Sequence, residues 1–207
     1  MGFLDELINP TDSLTGGVNK VPTHIKFNKE QQLAISNIRN FIQSEELYYS
    51  LIGKGGTGKT TVIADALSGF KSGVIGVAIS HKAKQRLSES IKKCYTFASA
   101  CGMKAVNDDN GKKKFVLNEF AKKQAIKHAN IIVVDECSQI SNENIKLIEK
   151  LKKPHAKVIY MGDFRQLPPI EGTGKDSYTF KVKNKSSLTV RMRQGIGNPI
   201  IELSDVI

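Results

Sequence analysis

The chain has 207 residues, 40% hydrophobic and 25% charged, enough for one α/β unit with a real core. It carries 31 Lys and Arg against 20 Asp and Glu, a net charge of +11 that favours a polyanionic partner, nucleic acid before membrane. A basic protein that is merely soluble fits that charge equally well. No apolar run is long enough to span a bilayer, and Met1–Glu6 lacks the basic start and apolar centre of a signal peptide. Cys94, Cys101 and Cys137 form an odd set without metal-ligand spacing, so free thiols in a reducing compartment are expected. A cytoplasmic location follows by elimination.

Residues 1–24 are polar and turn-rich and read as an N-terminal arm, a leader or a loosely docked segment, ahead of one lobe over 25–207. A helix is predicted from Asn28, an N-cap with Gln31 as its reciprocal partner. Its apolar stripe is Leu33, Ala34, Ile38, Phe41 and Ile42. Tyr48–Ile52 reads as a buried strand, and Thr61–Leu67 as the helix after a glycine-rich turn. The continuous apolar run Val74–Ile79 predicts a strand buried on both faces, followed by a basic helix through Ile91. Met103–Val106 and Phe115–Leu117 flank a polar Asn-Gly tip and predict a small β-hairpin over about 102–118. A second basic helix is predicted from about Asn118 to His128. Ile131–Val134 is a strand ending in Asp135-Glu136; Asn142–Leu151 is a helix capped by Ser141; Val158–Met161 is a strand closing on Gly162-Asp163. Strands alternating with helices predict an α/β fold, a mostly parallel sheet covered on both faces.

The turn from Gly53 to Thr60 fits G-x-x-x-x-G-K-[ST], with a strand before it and a helix after it, as a phosphate-binding P-loop requires. Gly53, Gly55, Gly56 and Gly58 let backbone N–H groups turn inward around phosphate oxygens, and the helix N-terminus adds a favourable dipole. The nucleotide set is completed by Thr57, Lys59, Thr60 and Thr61. Lys59 is positioned to reach the β and γ phosphates of ATP, and the Thr60 hydroxyl to ligate Mg²⁺. The bland alternative is an ordinary glycine-rich turn. Four apolar residues before Asp135-Glu136 match a Walker B segment: Asp135 for Mg²⁺, Glu136 to orient and deprotonate the attacking water. Glu136 serving only as a local cap is the alternative. Gly162–Ile170 follows the next strand, so Gln166 is expected in the same crevice as Lys59 and Asp135, where a neutral amide can contact a γ-phosphate or the catalytic water. A plain turn also uses Gly-Asp and Pro-Pro.

Together these motifs resemble the first RecA-like lobe of a superfamily 1 DNA helicase of the RecD/Dda type, over about Phe27 to Leu203. The resemblance places Gln31 as the adenine-contacting glutamine and Arg193, or Arg191, as the γ-phosphate arginine of motif IV. Ala78–Ala83 resembles motif Ia with Ile79 replacing a proline, and Tyr95–Ser99 resembles motif Ib with Ala98 replacing a histidine. Those motifs line a single-strand path in the family, which names Ser80, His81, Lys82, Thr96, Phe97 and Ser99 as DNA contacts. A surface role for His81 and a core role for Phe97 are the plain alternatives. The hairpin occupies the place of a strand-splitting pin, or is a solvated basic loop. The resemblance implies an ATP- and Mg²⁺-dependent 5′ to 3′ helicase motor acting on single-stranded DNA or a single-/double-strand junction in DNA replication or repair. It further implies a second RecA-like lobe, in cis or in trans, because one lobe cannot step by itself. Two other readings compete: a nucleotide-responsive single-stranded DNA binder that never unwinds, and an unrelated P-loop enzyme acting on a small molecule.

Overall fold

The computed structural model describes residues 14–22, 25–107, 111, 113–118, 124–163 and 182–192. Eight strands form within them: β1 (Tyr48–Gly53), β2 (Val74–Ala78), β3 (Cys94–Thr96), β4 (Met103–Asn107), β5 (Lys113–Leu117), β6 (Ile131–Val134), β7 (Lys157–Gly162) and β8 (Lys185–Leu188). Six of them pair in parallel in the order β3-β2-β6-β7-β1-β8. The four central strands are the apolar runs, buried along almost their whole length because helices cover both faces. Side chains alternate across the sheet: Ile131 and Val133 enter one core with Leu51, Val62 and Ile63, while Ile132 and Val134 enter the other with Tyr160 and Ile148. The expected mostly parallel P-loop architecture is therefore present, and β4 and β5 pair antiparallel as the separate hairpin, Met103 opposite Leu117 and Asn107 opposite Lys113.

Five α-helices lie among the described residues: α1 (Lys29–Gln43), α2 (Lys59–Ala66), α3 (His81–Ser88), α4 (Phe97–Cys101) and α5 (Asn142–Leu151). Their starts are locally encoded. Asn28 and Gln31 close a reciprocal capping box on α1, and Ser80, Thr96 and Ser141 accept from backbone N–H groups three residues on.

The structure departs from the sequence reading in four places. Leu33 is 62% exposed, and α1 buries Gln31 and Ile35 instead, because α2, β8 and β1, on which α1 packs, meet a different side of the helix. The described part of the second basic helix is a single 3₁₀ turn, Ala125–Lys127, whose Ala125 and Ile126 are buried. Residues 14–22 are firmly docked: Gly16 exchanges two backbone hydrogen bonds with Val74, at 3.0 and 2.9 Å, and Val18 enters the core. Edge strand β8 has the sequence Lys-Ser-Ser-Leu, without an apolar run, and forms by backbone pairing with β1. No helix among the described residues is long and apolar enough to cross a membrane.

Candidate functional site

The carboxyl ends of β1, β6 and β7 open on one cleft bordered by Gln31, Lys59, Thr60, Asp135, Glu136 and Asp163. Gly55, Gly56, Gly58 and Thr61 border it too. A parallel sheet builds its ligand site at this edge because helix N-termini and loops meet there. Gly58 caps α2 in a left-handed conformation, φ 84° and ψ 20°, and a Cβ on it would lie 2.7 Å from the Gln31 Nε2. Glycine alone satisfies both constraints. Thr57 is buried; its hydroxyl donates to the Lys54 carbonyl at 2.9 Å, so it fastens the loop. Gln31 Nε2 donates to the Thr57 carbonyl at 3.0 Å, and Gln31 Oε1 accepts from the Asn28 N–H at 3.0 Å. The Gln31 amide is thus committed to the loop and the helix start.

Lys59 folds back over the loop. Its Nζ donates to the Gly53 carbonyl at 2.5 Å and the Lys54 carbonyl at 3.0 Å. Burial pushes its pKa below the ordinary lysine value, while the charges of Asp135 and Asp163 pull it part of the way back. A partly desolvated ammonium on loop carbonyls is poised for a better anionic partner.

Asp135 is 3% exposed at the end of β6. Glu136 follows in the left-handed region, φ 54° and ψ 41°, the one described non-glycine residue with positive φ. The strain is held by Asp135 Oδ1, which accepts from the Glu136 N–H at 2.9 Å, and by the 3₁₀ turn Cys137–Gln139 that begins there. Sequence reasoning missed Arg86. From α3 its Nη2 donates to Asp135 Oδ2 at 3.1 Å and to Glu136 Oε1 at 2.9 Å. No local pattern marks it, since it stands in a basic helix; only the packing of α3 on β2 and β3, with β2 paired to β6, brings it to the carboxylates. Thr60, Asp135 and Asp163 give the cleft hard oxygen donors of the kind Mg²⁺ takes. Among the described residues no cluster of His, Cys, Asp or Glu holds a metal by itself.

Gln166 and Arg193 lie outside the described residues. Arg191 lies inside them, yet Met192 is the neighbour that borders the cleft, with its N–H donating to the Gly56 carbonyl at 2.9 Å. Of the strand-path candidates, Ser80 and Thr96 cap α3 and α4 side by side, because Ala78 is in register with Thr96. His81, Lys82 and Ser99 are exposed around them. Phe97 is a correction: it is 6% exposed and packs with Ile126 and Ile132, so its ring offers no stacking face. As first residue of α4 it points back into the core rather than along the surface. Cys101 and Cys137 are buried and Cys94 half-buried, and none of the three is in a disulfide; burial pushes the Cys94 and Cys101 thiols up to about 12.

Residues 26–204 match the family model described as an AAA domain. The chain belongs to that family. It is 26% identical over 153 residues to the ATP-dependent DNA helicase Dda of Enterobacteria phage T4, covering 72% of this chain and 34% of Dda. It is 31% identical over 166 residues to an uncharacterised protein of Acanthamoeba polyphaga mimivirus, covering 70% of this chain and 34% of that protein. The fold is shared with Pif1 helicase: a structure of two Pif1 helicases at forked double-stranded DNA superposes with TM-score 0.63 at 19% identity, covering 88% of this chain and 48% of that one. Bacteroides Pif1 in complex with ADP-AlF3 and single-stranded DNA superposes with TM-score 0.59 at 20% identity, covering 88% and 46%. The resemblance to a first RecA-like lobe of the RecD/Dda type is borne out. The chain spans about a third of the length of the curated relatives it matches.

Proposed function

We propose that this chain is the ATP-binding first motor lobe of a 5′ to 3′ DNA helicase, coupling ATP hydrolysis to movement along single-stranded DNA. The observation that carries the reading is the convergence of Lys59, Thr60, Asp135 and Glu136 on one cleft at the carboxyl edge of the sheet. The N–H groups of Gly55, Gly56 and Gly58 and the start of α2 cradle the phosphates. Lys59 leaves the Gly53 and Lys54 carbonyls for the β and γ phosphate oxygens. Thr60 and Asp135 would hold Mg²⁺, which would supply positive charge to offset that developing on the transferred group. Glu136 takes the proton of the attacking water. Gln166 and Arg193 complete the γ-phosphate contacts, and Gln31 borders the adenine.

The DNA track runs over Ser80, His81, Lys82, Thr96 and Ser99, supported by the adjacency of the two helix starts and the exposed Lys82 beside them. Four exposed polar groups and the half-buried Thr96 suit phosphate contacts better than base stacking. The partner is single-stranded DNA or a single-/double-strand junction. A second RecA-like lobe completes the motor. Residues 14–22 are docked on the lobe as part of it, and the working compartment is the cytoplasm of a bacterial cell or an infected host.

Titration with a fluorescent ATP analogue tests the nucleotide half: wild type binds, and Lys59→Ala binds at least about tenfold more weakly. Equal affinities sink the assignment of Lys59. Oligothymidylate tests the other half, because affinity governed by phosphate contacts falls steeply with salt and should change ATP turnover. Absence of any effect of the oligonucleotide on turnover or nucleotide binding returns the chain to a small-molecule P-loop enzyme.

A further inference from the structure

The P-loop, the carboxylate pair and the strand path leave one strong contact without a role. Arg86 sits 43% exposed on α3, and one nitrogen of its guanidinium bridges Asp135 and Glu136, at 3.1 and 2.9 Å. Asp135 Oδ2, the oxygen it engages, belongs to the carboxylate assigned to the cation, and its other oxygen already accepts from the Glu136 N–H. Both oxygens of Asp135 are thereby occupied within the chain. Glu136, the assigned base, is turned toward Arg86 on a left-handed backbone.

We propose that Arg86 is a positioning residue that latches the two carboxylates while the cleft is empty and is displaced when Mg²⁺ enters with the nucleotide. Resting on the nucleotide reading above, this inference adds a competition within it: a guanidinium and a divalent cation claim the same oxygen of Asp135. Displacement also frees Glu136 to turn to the water. Arg86 lies five residues along α3 from His81, on the helix whose start carries Ser80, His81 and Lys82. A strand seated on that start and a cation seated on Asp135 therefore act on opposite ends of one rigid two-turn helix. Release of the latch is the route by which DNA and nucleotide sense each other.

The sign of the effect separates a latch from a prop. Removing Arg86 makes the cleft one charge more negative. Metal-free nucleotide, a polyanion, then binds more weakly, while Asp135, relieved of its competitor, takes Mg²⁺ more readily. The ratio of dissociation constants for a fluorescent ADP analogue in EDTA and in Mg²⁺ should rise about tenfold in Arg86→Gln, within the usual span of coupling between two ligands. Lys84→Gln on the same helix removes one charge without touching the pair and should leave the ratio within about twofold. In wild type, oligothymidylate should lower the Mg²⁺ concentration for half-maximal nucleotide binding; in Arg86→Gln it should not. An unchanged ratio in a folded Arg86→Gln that still binds nucleotide overturns the latch, as does an equal rise in Lys84→Gln. If Arg86→Gln does not fold, Arg86→Lys keeps the charge on a shorter reach, and a ratio no higher than wild type overturns the proposal. Wild type that binds no nucleotide in either buffer removes the nucleotide reading itself, a separate failure.

Discussion

Gln31→Ala removes the side chain that ties the start of α1 to the phosphate-binding turn. Two hydrogen bonds are lost: Asn28 N–H to Gln31 Oε1 at 3.0 Å, half of the capping box, and Gln31 Nε2 to the Thr57 carbonyl at 3.0 Å. Loss of the first bond costs about 1 kcal/mol, while the Asn28 side chain keeps its own bond to the residue-31 N–H. Loss of the second bond costs about 1 kcal/mol more, because Thr57 is 1% exposed and Gln31 only 4%, so water does not readily replace the amide. The sum, about 2 kcal/mol, corresponds to a fall of about 4–8 °C in melting temperature for a chain of this size. The assay is thermal unfolding without nucleotide, paired with titration of fluorescent ATP and GTP analogues. The same variant should bind both nucleotides more weakly, since the loop loses its brace, and should discriminate less between the bases if the amide also borders adenine. An unchanged melting temperature refutes the bracing role, whatever happens to base preference.

Glu136→Gln keeps the size of the side chain and removes the base, so ATP turnover should fall by about 10²–10⁴ while nucleotide affinity stays within about threefold; loss of affinity without loss of turnover per bound nucleotide would refute its role. Lys59 has a pKa lowered by burial, so the folded chain holds that proton less tightly than the unfolded one and this group's contribution to stability rises with pH in the window below 10.5. Phosphates would draw the proton back, so calorimetry in buffers of different ionisation enthalpy should show proton uptake on nucleotide binding at the alkaline end and none near neutrality; proton release would contradict it. Gly76→Ala places a Cβ 2.5 Å from Cys94 Sγ and 2.6 Å from Leu87 Cδ2 between β2, β3 and α3. Overpacking of this kind costs about 1–3 kcal/mol, so denaturant midpoints should drop, and an unaltered midpoint would show that α3 shifts freely.

Local pattern carried the elements whose stability is local. The four central strands read as apolar runs because both their faces are covered, and the caps at Asn28 and Ser141 were legible because a capping bond spans only three residues. Strand β8 was not, since Lys185–Leu188 has no apolar periodicity and owes its form to backbone pairing with β1. Leu33 and Phe97 show the same limit: which side of a helix faces the core depends on the neighbour that docks there, and that neighbour is remote in sequence.

The sequence by itself determined the phosphate loop, the carboxylate pair and the alternation that yields a parallel sheet, because each is a run of adjacent residues with its own geometry. Tertiary structure alone decided that Gln31 braces the loop from 26 residues away and that Arg86 reaches Asp135 across 49. Those contacts arise where separate βα units meet at one edge of the sheet, and no spacing along the chain records which side chains will face each other there.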